Sequence, residues 1–143
     1  MAMGTVTATN LSGGTGNVQF QEKGDFTQIR KMALTTSLAS GDVIIGPSIP
    51  ADCTLVDVSV DVSDIDTDGT PLVAFTVGIT GTAAKFITTS AAGTTGGIER
   101  MNAVGCLGYT PTADTPVLVT MTASAATAAA GTMYIAVTCT RNP

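Results

Sequence analysis

Leu55-Val56-Asp57-Val58-Ser59-Val60-Asp61-Val62 alternates apolar and polar residues from its second position to its last. Successive side chains of a β-strand point to opposite faces, so this stretch predicts an apolar face of Val56, Val58, Val60 and Val62. Asp57, Ser59 and Asp61 make the other face, which is wet. A strand of this kind belongs to an antiparallel sheet that covers a core on one side only. Outward from it, Ala74 to Thr80 repeats the pattern with Phe75, Val77 and Ile79 inward, and Pro116 to Thr122 repeats it with Val117, Val119 and Met121. A last strand, Thr132 to Thr140, turns Met133, Ile135, Val137 and Cys139 inward. Less regular strands are expected at Thr27–Leu34, Asp42–Ile45 and Lys85–Thr88. With Gly, Pro, Asp and Asn punctuating the runs, about seven or eight short strands predict an all-β antiparallel β-sandwich, jelly-roll-like. Ser124 to Ala130 is rich in alanine and reads as a turn or short helical loop closed by Gly131.

Residues 1–17 carry Thr, Ala, Asn, Ser and Gly with no apolar period, ending in Gly13-Gly14-Thr15-Gly16-Asn17. They predict a flexible N-terminal arm, one that orders only against a neighbour, followed by a β-sandwich domain over residues 18–143. The start of the chain lacks a basic segment leading into an apolar core, and no run approaches about 18 apolar residues. Neither a secretory signal nor a membrane span is expected, and the chain is expected to be made in the cytoplasm and to leave it by lysis.

Of the 143 residues, 44% are hydrophobic and only 12% charged, with 4% aromatic and no Trp. The core must therefore come from Val, Ile, Leu, Ala and Met. The surface, dominated by Thr, Ser, Ala and Gly, has little charge to desolvate and so suits contact with other protein. A net charge of −5 argues against nucleic-acid binding, which needs a basic footprint on phosphate. The near-cluster Lys23, Arg30 and Lys31, with Glu22, Asp25 and Asp42 close in sequence, reads as a solvated strand face.

Histidine is absent. That removes Ser-His-Asp and Cys-His catalysis, the histidine general base and most zinc and iron ligand sets. No nucleophile elbow or phosphate-binding loop is present, and Gly13-Gly14-Thr15-Gly16 is a glycine run in the arm. The sequence predicts no enzyme. Asp64-Ile65-Asp66-Thr67-Asp68-Gly69 matches the opening of a calcium loop, in which alternate carboxylates converge on a hard cation. The twelfth position from Asp64, where a bidentate Glu belongs, is Phe75 in a predicted strand. Asp64, Asp66 and Asp68 are thus a calcium candidate set against an acidic β-turn, and the turn is favoured. Asp57 and Asp61, flanking Ser59, could pair as acid and base but read better as a solvated face. The three cysteines, Cys53, Cys106 and Cys139, have no framework spacing and read as buried free thiols, with a Cys53–Cys106 or Cys106–Cys139 bridge left open. Cys106 has no neighbour that would activate it and reads as structural. Asn10-Leu11-Ser12 has the form of a glycosylation sequon but has no secretory route to use.

Several segments between Leu34 and Thr140 resemble small β-rich structural proteins of tailed-bacteriophage heads, the decoration or cement proteins. They are Ser40-Gly41-Asp42-Val43-Ile44, Ile49-Pro50-Ala51-Asp52, Phe75-Thr76-Val77-Gly78-Ile79-Thr80-Gly81-Thr82, Asp114-Thr115-Pro116-Val117 and Ala130-Gly131-Thr132-Met133-Tyr134. The resemblance is one of composition and order over about three quarters of the chain. It implies a virion protein bound to the major capsid protein, often as a homotrimer, with no catalytic residues to carry over. A tail, neck or fibre protein of the same virion is the second structural reading. A carbohydrate-binding or adhesion module with the Asp64–Asp68 loop is the third, weakened by the shortage of aromatic platforms.

Overall fold

In the computed structural model, residues 24–36 and 38–142 are described. The arm over residues 1–17 and the domain start at Val18 lie outside them. Eight strands follow one another: β1 (Asp25–Leu34), β2 (Val43–Ile49), β3 (Cys53–Val62), β4 (Ala74–Ile79), β5 (Thr82–Ser90), β6 (Gly97–Arg100), β7 (Thr115–Ala123) and β8 (Gly131–Arg141). They form two four-stranded antiparallel sheets, β1-β8-β3-β6 and β2-β7-β4-β5, packed as a sandwich. The pairing follows one rule. β1 pairs with β8, β2 with β7, β3 with β6 and β4 with β5, so the chain is one long antiparallel ribbon folded back at the β4–β5 turn. Rolling that ribbon up brings β3 beside β8 and β4 beside β7, which closes each sheet. This is the jelly-roll arrangement expected from the sequence.

The buried residues of β7 and β8 are those that alternation predicts: Val117, Val119, Met133, Ile135, Val137 and Cys139 are fully buried, and Met121 is nearly so. On β4, Phe75 and Val77 are fully buried as predicted, but Ile79 is only half-buried and Thr76, on the opposite face, is buried too. On β3 the prediction fails at one residue. Val56 is 37% exposed and Leu55 takes the buried place. A β-bulge between Leu55 and Asp57 opposite β8 inserts one residue, so the inward set runs Cys53, Leu55, then Val58, Val60, Val62.

β2 extends beyond the expected Asp42–Ile45 because it lies at a sheet edge. A register shift between Ile45 and Ser48 leaves Gly46-Pro47 unpaired, where a missing N–H is tolerated. β5, expected over Lys85–Thr88, runs from Thr82 to Ser90 in irregular register, so the adjacent Phe86 and Ile87 are both buried. β6 has four residues and no apolar alternation to announce it.

Ser124–Ala130 is not helical. It is an extended loop held against the β3–β4 connection, with Ala128 in an isolated bridge to Asp66 and Ala129 N–H donating to Ile65 C=O at 3.0 Å. Helix propensity, worth at most a few tenths of a kcal/mol per residue here, yields to tertiary hydrogen bonds. Gly131 is the first residue of β8, not a helix cap. A Cβ there would lie 2.2 Å from Ser63 Oγ and 2.6 Å from Ile65 Cγ2, so only glycine admits this close approach.

Candidate functional site

The Asp64–Asp68 loop joins β3 to β4, and its middle carboxylate is the most heavily engaged polar group among the described residues. Asp66 is 1% exposed. Its Oδ2 accepts backbone N–H bonds from Leu72 (2.7 Å), Val73 (3.1 Å) and Ala126 (2.9 Å), and its Oδ1 accepts from Thr127 (2.9 Å) and, at 3.5 Å, from Asp68. Burial by itself would raise the Asp66 carboxyl, but the N–H groups of Thr127, Ala126, Leu72 and Val73 together outweigh it and hold the group well below the usual carboxylate range. Asp64 Oδ1 caps the Asp66 N–H at 3.1 Å. Asp68 accepts from Thr70 N–H at 2.8 Å and from Thr127 Oγ1 at 2.8 Å. Each of the three carboxylates therefore serves the chain's own backbone or hydroxyls. Among the described residues, no cluster of three or more metal-ligating side chains converges. What this loop does visibly is to fasten the β3–β4 connection to the β7–β8 connection.

The other candidates divide between bonded and exposed groups. Asp57 is in an ion pair with Arg100 across β3 and β6, while Asp61 lies exposed four residues on. Arg30 and Lys31 are exposed on β1, and Lys31 also reaches the face of Tyr134. All three cysteines are free and buried. Burial, and then the neighbouring Cys53, push the Cys139 thiol up to about 12. The Cys106 thiol donates to Ala103 C=O at 2.7 Å. Burial of this kind makes the Cys139 thiol a packing group, not a nucleophile.

Surface features remain. Sequence reasoning gave no weight to the β6–β7 connection, which carries Val104 and Leu107 outward on turns at Gly105 and Gly108, both at positive φ. Two apolar residues set in a glycine-rich loop read as ordinary punctuation in one dimension. Only the fold shows them unburied.

The described architecture defines a class, the eight-stranded jelly-roll sandwich. Within it the chain is similar to a chain of the cyanophage Pam1 capsid asymmetric unit, at 24% identity and TM-score 0.75 over 92% of this chain and 90% of that one. It is similar also to a chain of the Ralstonia phage GP4 capsid, at 24% identity and TM-score 0.75 over 84% and 86%. A chain of the acidic stable capsid of the Helicobacter pylori bacteriophage KHP30 is more distant, at 16% identity and TM-score 0.52 over 81% and 86%. No family model and no curated protein matches the sequence. At these identities the likeness is one of fold.

Proposed function

We propose that this chain is a non-catalytic structural component of a tailed-bacteriophage virion, a capsid decoration or cement protein that binds the major capsid protein lattice and stabilises it. The observation that carries the reading is the fold likeness to chains of phage capsids along nearly the whole length of both partners. The character of the surface agrees with it. A face of Thr, Ser, Ala and Gly docks at small desolvation cost, and many weak identical contacts sum over a lattice. A homotrimer at a symmetry point of the lattice fits such a role. Asp57, Asp66, Cys106 and Cys139 are engaged in structural bonds or burial, which gives each of these candidates structural work.

Cryo-electron microscopy of the cognate particle tests this. Density for the chain at repeated points on the head, touching the capsid lattice, is the expected result. A complete head map without it, with the chain found in the tail or missing from the particle, would overturn the reading in favour of the tail, neck or fibre alternative.

A further inference from the structure

The eight strands carry nine charged residues, and eight of these belong to one sheet. In β1-β8-β3-β6 they are Asp25, Arg30, Lys31, Asp57, Asp61, Glu99, Arg100 and Arg141; in β2-β7-β4-β5 there is Lys85 alone. The pairing register shows which face each row of side chains covers. Across the outer face of the first sheet run Thr27–Thr138–Asp57, Ile29–Ala136–Ser59–Arg100 and Lys31–Tyr134–Asp61–Ile98. Across the outer face of the second run Val43–Thr120–Thr76 and Ile45–Leu118–Gly78, and neither row holds a charge. Val43 and Ile45 are each about half exposed, and Leu118 and Thr120 are half-buried.

The charges that border this second face are engaged or stand off its edge. Asp42 Oδ2 accepts the Ala39 N–H at 2.8 Å, Asp114 Oδ1 accepts the Ala51 N–H at 2.9 Å, and Lys85 Nζ lies 4.4 Å from the centre of the Tyr109 ring. Arg30 looks across a groove at Val43 and Ile45, but from β1 of the other sheet. One polar group of the face is left unserved. Among the described residues, the Thr76 hydroxyl is the one buried side-chain oxygen or nitrogen with no hydrogen-bond partner.

The strand edges are guarded. A register shift at Gly46-Pro47 interrupts β2, and the Phe86 C=O of β5 already accepts the Asn102 and Ala103 N–H groups. In the edge strands β1 and β6, Arg30 and Glu99 take core-facing places opposite the buried Ile135 and Val60. Inward charges of this kind deter the addition of another strand. Val104 and Leu107, more exposed still, project from a loop and form no face.

We infer, on the virion reading above, that the chain meets the capsid lattice through the outer face of β2-β7-β4-β5, laid flat on an uncharged protein surface of the shell. Uncharged side chains lose little hydration on docking, whereas the outer face of the first sheet would have to shed water from Lys31, Asp57, Asp61 and Arg100. Size argues for a lattice over a second copy of this chain. Three strands about 4.8 Å apart, with about five residues each at about 3.4 Å, span about 250 Å². A stable pair of proteins buries about 800 Å² on each partner, so this face alone does not hold two copies together. It suits one contact among many on a repeating shell, where contacts sum.

The full chain, mixed with cognate heads that lack it and pelleted with them, tests the assignment. The native chain is expected to co-sediment, and Val43→Asp and Ile45→Asp each to weaken binding roughly tenfold or more with an unchanged far-UV circular dichroism spectrum. Ile29→Asp, on the first sheet, and Leu107→Asp, on the β6–β7 loop, are expected to bind as the native chain does. Hydroxyl-radical footprinting of the bound native chain, which needs no variant to fold, should show protection of Val43, Ile45 and Leu118. Protection or loss of binding confined to Ile29, Ile98 or Leu107 would overturn the inference and leave the virion reading standing. So would a native chain that dimerises in solution and is made monomeric by Ile45→Asp, because the face would then belong to a second copy. Failure of the native chain to bind the heads at all would overturn both.

Discussion

Asp66 illustrates how much a single side chain can decide when it is buried with its charge. Two carboxylate oxygens gather N–H groups from both connections, where strand pairing is reduced to the single bridge of Asp66 and Ala128: Leu72 and Val73 on one side, Ala126 and Thr127 on the other. Asp66→Asn keeps the shape but turns an amide NH₂ toward donors, so at least one N–H is left buried and unpaired. We expect a fall in Tm of several degrees or more by calorimetry, and no change in Tm when calcium or a chelator is added to the native protein. The sign of the acid response follows from the depressed carboxyl. Its stabilisation is complete above the unfolded-state value of about 4 and fades as pH falls below it toward the folded value. Asp66→Asn should flatten the acid limb of the stability curve over that interval. The thiols give a second test at this scale. Ellman's reagent should titrate none of Cys53, Cys106 and Cys139 in the native protein at neutral pH, and all three in denaturant.

Among the elements, β3 carries the clearest test of register. Leu55 and Val56 are neighbours of similar hydrophobicity, yet the bulge sends one into the core and the other toward water. Leu55→Ala should cost about 2–5 kcal/mol in denaturant unfolding, and Val56→Ala no more than about 0.5 kcal/mol. Without the bulge the two costs would exchange. This element also shows what the sequence could and could not reveal. Period-two alternation exposed β3, β7 and β8 because each covers a core with one face, and it located the buried residues of β7 and β8 without error; it exposed β4 too, though there Thr76 and Gly78 are buried along with Phe75 and Val77. It could not see the bulge, because an inserted residue leaves no gap when both neighbours are apolar. β6 escaped because four residues are too few to set a period. The alanine run misled because its partner, Asp66, lies 60 positions away from Ala126. The acidic segment was legible as a connection between two strands, and its role as a fastener was not. For the same reason the outward Val104 and Leu107 became visible only once the fold had left those side chains unburied.

For the whole molecule, the pairing rule sets the folding problem. The β4–β5 turn is local, but each further pair in the ribbon closes a longer loop, up to Asp25 against Thr140. Loop entropy has to be met before those distant contacts form, so refolding should be slow for a domain of this size, in the millisecond-to-second range or beyond. Stopped-flow circular dichroism would read it, and a microsecond phase recovering full amplitude would contradict it. The same rule makes residues 25 and 140 cross-strand neighbours, so the described chain enters and leaves the sheet at one place. A short linker between those points and a cut at Thr80-Gly81 would yield a circular permutant with every cross-strand partner retained. In that molecule the last pair to be reached becomes the first hairpin. The order of assembly would run backwards through an unchanged fold.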